Sequence, residues 1–271
     1  MPTSVGCSHV IYWKSDEATG GYLALSIADL SYPRFKYGRT ALRTVVCQLR
    51  FNPLLKIGQE LPIAFQELVR SDFPKFFRSG SAGFRIGGPG TIEALPPTST
   101  GSQFKTEDEE WTAALGVDSL SLETTAYRDF PDFERRFSVI EQAFQTVYRV
   151  DHYARVGLRY VNLFDSEQFP GGWLDKFNPQ LLGPMADPFL GSDITESIQA
   201  FSLADEDWTI AVRHGAEDQH YRLDIDHATE GRVEAGTVTE RLRAFNKRIY
   251  QVFRWAISDS MHERMDPAPH D

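Results

Sequence analysis

Cysteine is nearly absent: Cys7 and Cys47 are the only two in 271 residues. Two thiols are too few for a disulfide framework, and a chain of this length buries enough core to need none. The expected compartment is therefore a reducing, cytoplasmic one, with Cys47 a small buried hydrophobe and Cys7 a free thiol. Long apolar runs are missing too, since no stretch approaches the roughly 18 residues of a membrane span. The first residues lack the basic region and apolar segment of an export signal. Val5-Gly6-Cys7 resembles a lipoprotein cleavage site, but the hydrophobic run that must precede one is absent. Basic residues are in deficit, 28 against 38 acidic, for a formal charge of -10. That balance opposes a phosphate-binding surface, so direct nucleic-acid binding is not expected. Nucleophile-elbow, Walker and dinucleotide-binding signatures are also missing. Gly87-Gly88-Pro89-Gly90 lacks the Lys-Ser/Thr of a phosphate loop and reads as a turn. No carboxylate spacing supports glycosidase chemistry, and catalytic residues stay unassigned.

Aromatic residues are abundant, 13% of the chain with 19 Phe, so the core is expected to be built from large flat side chains. Apolar-polar alternation predicts a strand over residues 43–51, where Val45, Cys47, Leu49 and Phe51 share a face. A helix is expected over 61–73, a strand over 82–86 and a Gly/Pro-rich loop over 87–101. An acidic approach at 107–110 then leads to strands at 111–115 and 119–127. The spacing of Phe133, Phe137, Ile140, Phe144 and Val147 predicts an amphipathic helix over 131–148. The second half repeats the theme, with a strand over 155–164, a short helix over 173–182 and strands over 194–203, 208–214 and 221–227. A long helix is predicted over 238–262, opened by Thr237 and Glu240 at capping-box spacing.

This order predicts an α+β fold: an antiparallel sheet with long helices packed on one face, formed by a tandem duplication of a strand-helix-three-strand-helix unit. Leu49-Arg50-Phe51 and Leu158-Arg159-Tyr160 open the two halves about 110 residues apart. The expected divisions are an N-terminal extension (1–31), a first repeat (32–150), a second repeat (151–265) and a tail (266–271). Topologically such a fold resembles the helix-grip and TATA-binding-protein-like groups, a likeness without functional content.

His214 and His220 flank the expected turn at Glu217-Asp218, yet strand parity sends them to opposite faces, so no metal site and no cofactor are expected. Asp224-Ile225-Asp226 has the DxD form but reads as the solvated face of a strand. Arg50 and Arg159 occupy matching places in the two repeats. Each is a candidate ligand- or partner-binding residue, with an internal ion pair as the competing role for Arg159. Trp255 lies at heptad spacing with Arg241, Arg248 and His262 on the polar flank of the last helix, and is a third candidate contact.

Four phrases in order are similar to a sporadically distributed, largely uncharacterised prokaryotic family of mobile, defence-type loci. They are Tyr32-Pro33, Leu49-Arg50-Phe51-Asn52-Pro53, Leu122-Glu123-Thr124-Thr125-Ala126-Tyr127-Arg128-Asp129-Phe130 and Val156-Gly157-Leu158-Arg159-Tyr160-Val161-Asn162. The likeness spans about residues 32–265 and brings no assigned catalytic residues to carry over to this chain. The leading expectation is a non-catalytic cytosolic protein-binding or regulatory component of a prokaryotic defence or toxin-antitoxin locus, meeting another protein through a sheet edge or the terminal helix. The alternative is a small-molecule sensor or hydrolase using a cavity between sheet and long helix, its ligand an anion if arginine holds it. Converging polar groups in such a cavity favour the alternative; a filled core favours the first.

Overall fold

The computed structural model describes residues 30–80, 84–86, 92–94, 100–191, 193–217 and 220–269. Its centre is a nine-stranded antiparallel sheet. The strands are β1 (Leu42–Arg50), β2 (Lys75–Gly80), β3 (Thr100–Lys105), β4 (Trp111–Gly116), β5 (Ser119–Thr124), β6 (Arg155–Asp165), β7 (Glu196–Ala204), β8 (Trp208–Glu217) and β9 (His220–Thr229). In space they run β7-β8-β9-β6-β1-β5-β4-β3-β2. The main helices are α1 (Ile63–Val69), α2 (Phe130–Tyr148), α3 (Val238–Ala256) and α4 (Asp259–Arg264), with shorter turns of helix before α1 and between α2 and α3.

The α+β class follows from one-sided strands. Val45, Cys47 and Leu49 of β1 are fully buried, as are Val156, Leu158 and Phe164 of β6 and Leu223 and Ile225 of β9. Alternation puts these residues on one face, and that face receives the helices. The two long helices, each 19 residues, bury an apolar face against the sheet, in α2 the stripe of Phe133, Phe137, Ile140 and Phe144 that the sequence predicts. Asp129 caps α2 by accepting the Asp132 N–H at 2.9 Å, and Arg149 ends it in the left-handed region at φ 53°.

Strands β1 and β6 pair antiparallel at the middle, Leu49 opposite Val156, so the two expected units share one sheet and one core. In each half the first strand pairs with the last, β1 with β5 and β6 with β9, and the remaining strands run outward. The halves are not equal, because the first holds an extra strand. Thr100–Lys105, expected to include the end of a loop, is β3, where Phe104 packs fully buried against Phe65 and Phe76.

Two further expectations are corrected. The terminal helix does not run to residue 262. It stops at Ala256, where Ile257 turns extended to bridge Phe177, and Ser258 then caps α4 by accepting the Met261 N–H. Thr237 makes no side-chain cap; its hydroxyl donates to Glu234 O instead. The first and last described segments meet beside α3. Residues Phe35–Tyr37 pair with Pro267–Pro269 from the expected tail, while Gln251 exchanges two hydrogen bonds with the Tyr32 backbone. Residues 1–29, most of the expected extension, and Cys7 with them, lie outside the described residues.

Candidate functional site

The sequence-derived candidates sit apart. Arg159 lies on the sheet face away from the helices and grips Asp224 with both arms, Nε to Oδ1 at 2.8 Å and Nη2 to Oδ2 at 2.6 Å. Asp224 is only 2% exposed, and its neighbour Asp226 takes Arg155 at 3.1 Å. The DxD pair is therefore not a solvated face: each carboxylate is spent on an arginine. Arg50 stands four places along β1 from the residue opposite Arg159 and pairs with Asp118 at 2.9 Å in the open. Trp255 is on the helix side, edge-on to Phe201. Its heptad row is broken, since His262 belongs to α4 and pairs with the Tyr37 hydroxyl, while Arg248 covers Trp208. These three candidates do not converge.

Histidines also diverge: His214 is buried against the Tyr221 hydroxyl, whereas His220 is exposed 3.5 Å from Asp165. Among the described residues, no group of three His, Cys, Asp or Glu side chains is placed to hold a metal ion.

Polar groups converge elsewhere, in a cavity of about 180 Å³ between the sheet and α3. Its floor is β6, which places Tyr160 and Asn162 on the helix-facing side by alternation. One wall is α3, whose Asn246, Ile249, Tyr250 and Phe253 recur at helical spacing. The start of α2 closes a second side with Asp129 and Phe130, beside Tyr127. The segment before β1 closes the third with Arg34 and Tyr37. That segment is held in place by the Tyr250 hydroxyl, which donates to Pro33 O at 2.9 Å and accepts the Phe35 N–H at 3.0 Å.

Inside the cavity the polar groups form one network. Asn246 Oδ1 accepts Arg34 Nη2 at 3.0 Å and lies 3.1 Å from the Tyr160 hydroxyl. Tyr160 is also 3.0 Å from the Tyr127 hydroxyl, and its ring meets that of Tyr127 edge-on. Arg34 lies over the Tyr250 ring, 5.1 Å from its centroid. Burial pushes the Tyr127 phenol up to about 12, with the Tyr160 hydrogen bond and Arg34 pulling the other way. Burial pushes Tyr160 well above the ordinary phenol range, reinforced by Tyr127. Both phenols are therefore protonated near neutral pH and act as hydrogen-bonding groups, not as bases.

None of Arg34, Tyr127, Tyr160 and Asn246 was a sequence-derived site candidate. The usable signal was polarity in the wrong place: Asn162 interrupts the buried alternation of β6, and Asn246 sits in the apolar stripe of α3. A buried amide in such a position needs partners, and partners imply a polar site.

Neither protein-family models nor curated proteins give a match to this chain.

Proposed function

We propose that this chain is a non-catalytic binding protein whose site is the cavity between β6, α2 and α3, and that a small molecule is its ligand. The observation that carries this reading is the convergence of Arg34, Tyr127, Tyr160 and Asn246 on a cavity of about 180 Å³ instead of a filled core. Cavities of this kind, apolar with a few placed polar groups, are the usual form of a ligand site. Its walls come from both halves of the chain and from the segment before β1, so an occupant would brace all three. That coupling suits a regulatory component, in keeping with the defence-type locus that the family resemblance implies. Parts of two phrases that carry the resemblance, residues 127–130 with Tyr160 and Asn162, line the cavity, and Tyr32-Pro33 adjoins it.

Filling the cavity tests the proposal. Ile249 is 3% exposed and lines the space, so Ile249→Phe grows a ring into it while changing stability by only about 1–3 kcal/mol. In a thermal-shift screen of small molecules, compounds that raise the melting temperature of the native chain are expected to leave this variant unmoved. Equal shifts for both proteins would place the site elsewhere.

A protein contact is the second reading, favoured by the edge of the sheet at β7. Among the described residues nothing pairs with its outer side, and it carries neither Pro nor Lys to blunt pairing. Ile198 is 47% exposed there, with Phe189 at 83% nearby in sequence. A partner adding a strand at this edge would cover them. Ile198→Lys is expected to abolish capture of such a partner while leaving the melting temperature within a few degrees; undiminished capture would exclude this edge.

A further inference from the structure

The hydrogen-bonding balance of the cavity points to the charge of its occupant. Asn246 is 8% exposed. Its side-chain oxygen is already met by Arg34 and Tyr160, so the amide orientation is set and the amide nitrogen is the group left over. That nitrogen has no hydrogen-bond partner among the described residues. Arg34 spends Nη2 on Asn246, and no carboxylate among the described residues pairs with it. The one acidic residue of the lining, Asp129, uses Oδ1 to cap α2. Lys36 adds positive charge at the rim, where Arg128 is already shared with Asp132 at 3.9 Å. What the cavity offers a visitor is therefore surplus N–H donors and net positive charge, in a protein that is otherwise strongly acidic.

We infer, on the basis of the ligand-pocket reading above, that the occupant is a small carboxylate with a flat apolar body. The carboxylate lies between the guanidinium of Arg34 and the amide nitrogen of Asn246, where charge-assisted hydrogen bonds are strongest. The body lies against Phe130, Ile249 and Phe253. The size fits one ring, since a dry cavity of about 150 Å³ accepts benzene. Binding uses donors that the folded chain leaves idle, so no internal bond has to break.

Calorimetric titration of the full chain with benzoate, its neutral isostere benzamide and the cation benzylamine tests this. Benzoate is expected to bind at least tenfold more tightly than benzamide, and benzylamine not to bind. Arg34→Gln is expected to weaken benzoate at least tenfold. Asn246→Asp is the sharper variant: its carboxylate still accepts from Arg34 and Tyr160, which preserves the fold, but it neutralises Arg34 and removes the free donor. Benzoate binding should then be lost at an unchanged melting temperature. If benzamide binds as well as benzoate and Ile249→Phe blocks both, the carboxylate assignment fails while the pocket reading survives. If none of the three ring probes binds at millimolar concentration, both fail.

Discussion

Arg159→Ala is expected to cost about 3–5 kcal/mol, a large share of the stability of a domain of this size. The reason is Asp224: at 2% exposure it depends on the two-armed grip of Arg159 at 2.6 and 2.8 Å, and removing the guanidinium strands a buried carboxylate. Arg213, directly opposite Asp224 in β8, makes no hydrogen bond through its buried Nη1, so in the native fold Asp224 is held by Arg159. Two companions sharpen the expectation. Arg50→Ala breaks a pair exposed on both sides and should change stability by no more than about 1 kcal/mol. Replacing Arg159 and Asp224 together by leucine removes the charge along with its partner and should restore much of the loss. Denaturant melts of the three variants check this. A mild effect for Arg159→Ala would mean that its grip on Asp224 carries little of the fold.

Acid is expected to unfold the protein early, through two buried histidines. Burial lowers the pKa of His214 from 6.5 to about 4. Burial, aided by the charge of Arg248, lowers that of His227 to about 3. His227 is fully buried, stacked 3.9 Å from Phe245, and neither ring nitrogen meets a well-formed hydrogen-bond partner. With folded values below the unfolded 6.5, both rings stay neutral in the native state while the unfolded chain takes up protons. Their contribution to stability is therefore complete above pH 6.5 and is lost as pH falls from there toward the folded values. Each uncompensated proton costs about 1.4 kcal/mol per pH unit, so both together remove roughly 5 kcal/mol between pH 6.5 and 4.5. Glu141 opposes this for one proton, because burial raises its pKa. Urea melts across that range should show stability falling with acid, and His227→Leu should flatten the slope. A native chain equally stable at pH 4.5 and 6.5 would contradict the account.

Much of the framework was legible because it rests on periodicity. The stripe of Phe133, Phe137, Ile140 and Phe144 specifies α2, and alternation in β1, β6, β8 and β9 specifies strands and their faces. Signals that depend on tertiary contact were not legible. Residues Thr100–Lys105 look like loop because Gly101 and Ser102 are poor strand formers; partners on both sides, β2 and β4, override that propensity. The break after Ala256 has no Pro or Gly to mark it and is imposed by the Ile257 bridge to Phe177. Arg159 stood out as a charge in an apolar stretch, but its partner Asp224 lies 65 residues away, on the neighbouring strand. The cavity was least legible of all, since its converging polar groups come from four separate segments and only Asn162 and Asn246 break a local pattern.

The central claim is that the cavity beside Tyr160 and Asn246 is where this protein binds its ligand. Methyl NMR during a benzoate titration tests it most directly, because Ile249 and Met265 line the cavity while Val46 and Ala211 lie on the opposite sheet face. The predicted result is saturable shifts of Ile249 and Met265, with Val46 and Ala211 still, and no shifts in Asn246→Asp. Shifts centred on Val46 and Ala211, or none at Ile249 and Met265, would contradict it.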